Sequence, residues 1–236
     1  MARTFKILSA LLSYPSQELQ QAPPMLREEL RQEGLLSPEA AADVAMLASE
    51  FETADLYALQ ERYVDLFDRG RSLSLYLFEH VHGESRDRGQ AMIDLKSLYE
   101  RQGLIIDCRE LPDFIPVFLE FLSMLPLDEA RKLLGQTAHI LKVLAERLER
   151  RGSPYASVLR AAIELAAQVE APPQSVIVPE PDETDINDLA VLDAEWEEAA
   201  VTFGPEAASS CKDELVARIR AARRPAPGAA NARRAP

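Results

Sequence analysis

Cysteine is nearly absent from this chain. Among its 236 residues only Cys108 and Cys211 occur. Two cysteines so far apart build neither a disulfide framework nor a zinc-finger knuckle, so they read as free thiols in a reducing compartment. Glycine is also scarce, with nine residues, and Gly83 and Gly89 are too sparse and wrongly spaced for a dinucleotide fingerprint. No nucleophile elbow or Walker pattern appears, and neither cysteine has a histidine nearby in sequence to activate it. No apolar run is long enough to span a membrane. Positive charge is in deficit: 39 acidic residues face 26 basic ones, for a net charge of -13. Such a field repels phosphate backbones and argues against nucleic-acid binding as the main task. It suits a basic or amphipathic partner.

Hydrophobic residues, 47% of the chain, are plentiful. They recur at helical spacing almost throughout, which predicts an all-α fold: a bundle of about seven to eight helices within residues 1–170. The opening "MARTFKILSALLSYP" resembles a secretion signal only superficially. Ser9 interrupts the apolar run and no cleavage site follows. It reads as an amphipathic helix with Phe5, Leu8, Leu11 and Leu12 on one face. A second segment, about 16–32, is interrupted by Pro23-Pro24. Ser37, Pro38 and Glu39 form a strong helix start. The stripe Leu56, Leu59, Tyr63, Leu66, Phe67 predicts a helix ending at Gly70. Ser85 is a candidate cap for a helix that buries Ala91, Leu95 and Tyr99 and stops at Gly103. The next helix should start near Asp113 and end before Pro126. Asp128 should cap a long helix ending at Gly152 and Pro154. A last core helix should run from about Tyr155 to Val169.

Composition changes after residue 170. Residues 171–236 read as an acidic Pro-rich linker (171–187), a short amphipathic helix (about 188–203) carrying Trp196, and a basic tail expected to be disordered. "SVIVPE", Ser175 to Glu180, is the single strand-like run, and it is short and flanked by prolines.

The densest chemistry lies in "LYLFEHVHGESRDRGQAM", Leu75 to Met92. Glu79, His80, His82 and Glu84 raise the question of a metal. His80 and His82, two apart, do not share a helix face, and His139 is the only other histidine. A zinc site needs three or four ligands, so a small metal-binding protein using His80 and His82 is the distant alternative. Catalysis has equally little support. Glu79, Arg86 and Arg88 are expected instead to form an ion-pair network at a helix–loop–helix corner. A groove for a partner peptide is the third reading. Its candidate walls are Tyr63, Phe67, Tyr76, Phe78, Phe114 and Phe118, with Arg86, Arg88, Asp113 and Glu120 as polar contacts. Plain core packing competes for each aromatic.

Longer blocks carry a resemblance. "LFDRGRSLSLYLFEHVHGESRDRGQAM" closely resembles the signature of NarJ-type chaperones, the assembly factors for the molybdenum cofactor of respiratory nitrate reductase. "RELPDFIPVFLEFLS" resembles that family's second block, "KILSALLSYPSQEL" its N-terminal helix and turn, and "LDAEWEEAAVTF" its C-terminal block. The resemblance runs from about Phe5 to Phe203. It implies an all-helical, cytoplasmic protein that is not an enzyme and is not an integral membrane protein. It implies a chaperone that binds the N-terminal segment of the nitrate reductase catalytic (alpha) subunit and supports molybdenum cofactor insertion before membrane docking. No cofactor would be bound permanently, because the molybdenum cofactor is handled in the client. Molybdenum cofactor biosynthesis proteins are further implied partners. A chaperone for a different molybdoenzyme is the nearest alternative. The wider superfamily often has a histidine after the Pro-Asp of the second block, where this chain has Phe114.

On this combined reading Tyr76, Phe78, Glu79, His80, His82, Arg86, Arg88, Asp113, Phe114 and Phe118 are the candidate client-binding residues. Phe78, Glu79, His80 and His82 would shape the corner. Arg86, Arg88 and Asp113 would help hold the peptide.

Overall fold

The computed structural model describes residues 2–80, 86–106 and 110–167, with the side chains of residues 86, 87 and 167 outside the description. Nine α-helices occur among the described residues: α1 (Arg3–Leu11), α2 (Gln17–Gln21), α3 (Pro23–Glu33), α4 (Pro38–Thr53), α5 (Leu56–Phe67), α6 (Arg86–Arg101), α7 (Ile115–Met124), α8 (Leu127–Arg150) and α9 (Ala156–Ala167). There is no strand among them. "SVIVPE", the amphipathic segment and the tail all lie outside the described residues.

Local chemistry accounts for most boundaries. The second segment is two helices because Pro23 starts α3 directly after Ala22, which closes α2. A proline is tolerated there because the first turn needs no backbone donor. Ser37 caps α4, its hydroxyl accepting the Ala40 N–H at 3.3 Å. Asp55 does the same for α5, accepting the Ala58 N–H at 3.1 Å. α6 and α8 end in the same turn. Gly103 (φ 86°) and Gly152 (φ 62°) are left-handed, and the next residues, Leu104 and Ser153, donate back to Tyr99 O at 3.0 Å and Leu148 O at 2.9 Å. A left-handed residue at this position favours glycine because it lacks a Cβ to clash.

Three expected boundaries move. α5 ends at Phe67 rather than Gly70, because the chain turns at Asp68 toward a short 3₁₀ turn, Arg71–Leu73. α7 begins at Ile115, not near Asp113: the Asp113 carbonyl and carboxylate are engaged by residues 77 and 78. Pro126, not Asp128, precedes the first turn of α8. Asp128 lies within that turn, where its charge favours the positive end of the helix dipole.

α8 packs along α9, α4 packs on α3 and α9, and α1 lies against α7, α3 and α9. The expected face of α1 is fully buried, with Phe5, Leu8, Leu11 and Leu12 all at 0% exposure. One buried face and one exposed face, with Arg3 and Lys6 outward, fit the reading of α1 as an amphipathic helix. The core is one continuous cluster from Ala2 to Ala166. No described helix is long and apolar enough to cross a membrane.

Candidate functional site

Two stretches that are not α-helical, residues 71–80 and 110–114, lie side by side. Tyr76 and Phe114 form an isolated antiparallel bridge. Leu77 N–H donates to Asp113 O at 3.0 Å, and Ile115 N–H donates to Leu75 O at 2.8 Å. The Asp113 carboxylate then accepts the Phe78 N–H at 3.0 Å. Tyr99 of α6 joins from behind, its hydroxyl donating to Pro112 O at 2.8 Å. The two most distinctive sequence blocks are thus sewn to each other through main-chain groups. Extended backbone cannot satisfy itself as a helix does, so each block supplies the other's partners.

Beneath this seam the expected site residues separate into three groups. Asp113, Phe78 and Phe118 are buried, with Asp113 at 0% exposure. Burial pushes the Asp113 carboxyl up to about 6, against the Phe78 hydrogen bond and the Arg88 charge, which both favour ionisation. Its Oδ1 has no partner among the described residues. Glu79, His80 and Arg88 form a half-buried polar corner. Arg88 Nη2 lies 3.5 Å from Glu79 Oε1, one leg of the expected ion-pair network. His80 Nε2 lies 2.7 Å from Ser74 O. A carbonyl oxygen only accepts, so Nε2 carries the proton. Burial holds this imidazole below its ordinary pKa, against the favourable Ser74 contact. Arg147 of α8 reaches the same loop and donates to Ser72 O at 2.7 Å. Tyr76 and Phe114 form the third group, stacked at 5.2 Å between ring centroids and open to a cleft. His82 and the Arg86 side chain lie outside the described residues. No group of three or more metal-ligating side chains exists among the described residues.

The cleft has a volume of about 430 Å³ and lies between the C-terminal ends of α1 and α5, the 75–76 strand-like stretch and the start of α7. Tyr14, Tyr63, Phe67, Tyr76 and Phe114 supply aromatic wall; Asp68, Glu110 and Glu120 supply charge. Tyr14 meets Tyr63 edge-on at 5.5 Å. The Tyr63 hydroxyl donates to Leu12 O at 3.0 Å, tying α5 to the end of α1. The Tyr76 hydroxyl donates to Glu110 Oε2 at 2.5 Å. Burial, and then the neighbouring Glu110 charge, raise the Asp68 carboxyl above its ordinary pKa. No Lys, Arg or His is among the described lining residues.

Sequence reasoning named four of the five aromatics and Glu120 but missed Tyr14, Asp68 and Glu110. Tyr14 carried a signal: a large aromatic beside the helix-breaking Pro15 has no helical face in which to bury, and it is 51% exposed. Asp68 and Glu110 had no such mark, since only the fold brings residues 42 apart together.

This arrangement presents aromatic surface and carboxylates without an activated nucleophile or a metal cluster among the described residues. Comparison with known proteins points the same way. The nitrate reductase delta subunit family matches residues 27–161. Over 210 residues the chain is 41% identical to the nitrate reductase molybdenum cofactor assembly chaperone NarJ of Escherichia coli (strain K12), covering 89% of this chain and 88% of that one. It is 35% identical over 159 residues to a Bacillus subtilis (strain 168) protein assigned the same NarJ chaperone role, covering 66% of this chain and 84% of that one. A solved structure assigned as a redox enzyme maturation protein from Archaeoglobus fulgidus aligns with a TM-score of 0.51 and 26% identity, over 71% of this chain and 94% of that one. These relatives are described as assembly and maturation factors. With a shared helical fold, identity over most of its length and a match across the central helices, the chain belongs to the nitrate reductase delta subunit family.

Proposed function

We propose that this protein is a cytoplasmic assembly chaperone for a respiratory nitrate reductase. It binds the N-terminal segment of the catalytic subunit, holds that subunit in a form that accepts the molybdenum cofactor, and delays docking to the membrane subunit until insertion is complete. The observation that carries the reading is the aromatic and acidic cleft built where the two signature blocks meet. Aromatic side chains offer large contact area at low entropic cost, and carboxylates select a cationic partner. The similarity to assembly chaperones supplies the client class.

The cleft does not suit the cofactor itself. A phosphate-bearing molybdenum cofactor calls for cationic or N–H-rich surroundings, whereas the described lining carries three carboxylates and no cation. On this reading the cofactor is handled within the client, and the chaperone's role is to hold protein.

Calorimetric titration with a synthetic peptide matching the N-terminus of the catalytic subunit from the same organism tests the reading, with a scrambled control. Saturable one-site binding to the true peptide alone is expected, with affinity falling as salt rises. Binding of both peptides, or of neither, would overturn it. Stronger binding to the corresponding segment of a different molybdoenzyme would reassign the client.

A further inference from the structure

A second groove, of about 510 Å³, runs between α1, α2 and α3 and is lined mainly by apolar atoms of Ile7, Ala10, Leu19, Ala22, Met25 and Leu26. It adjoins the aromatic cleft. Ser13 and Tyr14 line both. Across the same boundary Lys6, on the groove side, faces Glu120, on the cleft side, at 3.7 Å. The two hollows therefore form one trough along α1, apolar at one end and acidic at the other. Met25 is 62% exposed there, a large apolar side chain left facing solvent.

We propose that a single amphipathic client segment occupies this whole trough in one direction. Its apolar side chains lie in the α1–α2–α3 groove, and a Lys or Arg side chain enters the cleft among Asp68, Glu110 and Glu120. The inference rests on the client reading above and adds to it a polarity, a cation subsite and an internal competitor. Charge complementarity identifies the occupant. The Glu110 charge adds to the cost of ionising Asp68, a cost that a cation between the two carboxylates relieves. Among the described residues the Glu120 carboxylate pairs with Lys6, through an exposed and long contact. Exposed pairs of this kind are worth little, so an incoming cation displaces Lys6 at small cost. Lys6 is then a competitor for the subsite, and its ammonium tunes the affinity of the trough for cationic segments. Continuity with the cleft supplies the length: neither hollow alone houses more than a few side chains, whereas an amphipathic helix presents contacts at i, i+3, i+4 and i+7.

The test uses the full chain and two N-acetylated peptides: the first twenty or so residues of the nitrate reductase catalytic subunit, and a copy with every Lys and Arg replaced by Gln. At low salt, Glu110→Gln and Glu120→Gln should each weaken the charged peptide by about fivefold, roughly 1 kcal/mol, and leave the neutral copy unchanged. Lys6→Gln should strengthen the charged peptide alone, by about twofold to threefold. Met25→Glu should weaken the neutral copy, where no attraction to the new carboxylate offsets the lost apolar contact. Circular dichroism melts check that each variant is folded; none of the four side chains is fully buried, and the side chain introduced by Glu110→Gln still accepts from Tyr76. Equal effects of the carboxylate variants on both peptides, or none on either, would overturn the cation subsite while leaving the client reading intact. Failure of the unaltered protein to bind the charged peptide would instead remove the client reading, and the subsite with it. An unchanged affinity for the neutral copy in Met25→Glu would confine the client to the cleft and overturn the shared trough.

Discussion

The α4–α8–α9 half of the bundle and the corner formed by residues 71–80 and 110–115 are stabilised in opposite ways. In the first, Tyr155 sits at 0% exposure among Phe51, Tyr63 and Phe67, with ring centroids 5.2–6.2 Å away. Its energy comes from area removed from water and from dense packing. In the second, a buried carboxylate, a half-buried imidazole and two arginines hold extended backbone in place. There the energy comes from hydrogen bonds whose partners are costly to leave unpaired. The packed half should therefore be the more sensitive to lost volume, and the corner the more sensitive to protonation. The cleft is built on the corner side, where helices stop and side chains are free to face a partner.

The largest break in this comparison should come from Tyr155→Ala. It removes an aromatic from the packed half and leaves a cavity, so stability should fall by about 3–5 kcal/mol. Urea unfolding at pH 7.5 and at pH 5 should show the same loss, because no titrating group is removed from its folded range. A loss confined to one pH would mean that the packed half is coupled to the corner.

Next in size is the pH response of Asp113. Its folded value near 6 lies above the ordinary 3.8. A raised carboxyl binds its proton more tightly in the folded chain, so its contribution is fully present below 3.8 and lost as pH rises through about 6. The change amounts to about 3 kcal/mol at most. Asp113→Asn keeps an acceptor for the Phe78 N–H and removes the buried charge. Its unfolding free energy should therefore lack this fall and exceed that of the unaltered protein at pH 7.5. A variant less stable at pH 7.5 and equally pH-dependent would show that ionised Asp113 is well compensated.

His80 should act in the opposite sense. Its folded pKa is depressed by burial, so its neutral form stabilises the fold above about 6.5, and that contribution is lost as pH falls through the folded value. The two slopes oppose each other in the unaltered chain. His80→Gln should expose the falling limb due to Asp113, whereas Asp113→Asn should expose the rising limb due to His80. Identical pH profiles for the two variants would defeat the assignment. The smallest effect belongs to Arg88, whose side chain is 28% exposed beside Glu79 at 26%. Arg88→Gln should cost about 1 kcal/mol or less. Its clearer mark is on Asp113: without the Arg88 charge the carboxyl titrates higher, moving the falling limb of the stability profile to higher pH.

How much of this was readable in the sequence differs between the same two regions. Leu8, Leu11 and Leu12 announced the buried face of α1 through spacing alone, and Ser37-Pro38 announced the start of α4. Such signals are local, because helical hydrogen bonds close within four residues. The corner defied the same reasoning. Asp113 looked like a polar contact near a helix start, yet it is buried and bound to Phe78, 35 residues away. Glu79 and Arg88 were expected to pair, and do, at 3.5 Å. Asp68 and Glu110 escaped notice because nothing local distinguishes them from other surface acids.

The sequence by itself determined the helical class, the capped start of α4 at Ser37, the buried stripe of α1 and the family blocks. These depend on spacing and on the chemistry of neighbours along the chain. Only the tertiary structure decided that the two blocks meet through an isolated bridge and main-chain hydrogen bonds, that Asp113 lies inside with a raised pKa, and that Tyr14, Asp68, Glu110 and Glu120 surround one cleft. Those facts depend on distances between residues far apart in the chain. Burial and charge proximity act through space, and periodicity carries no record of them.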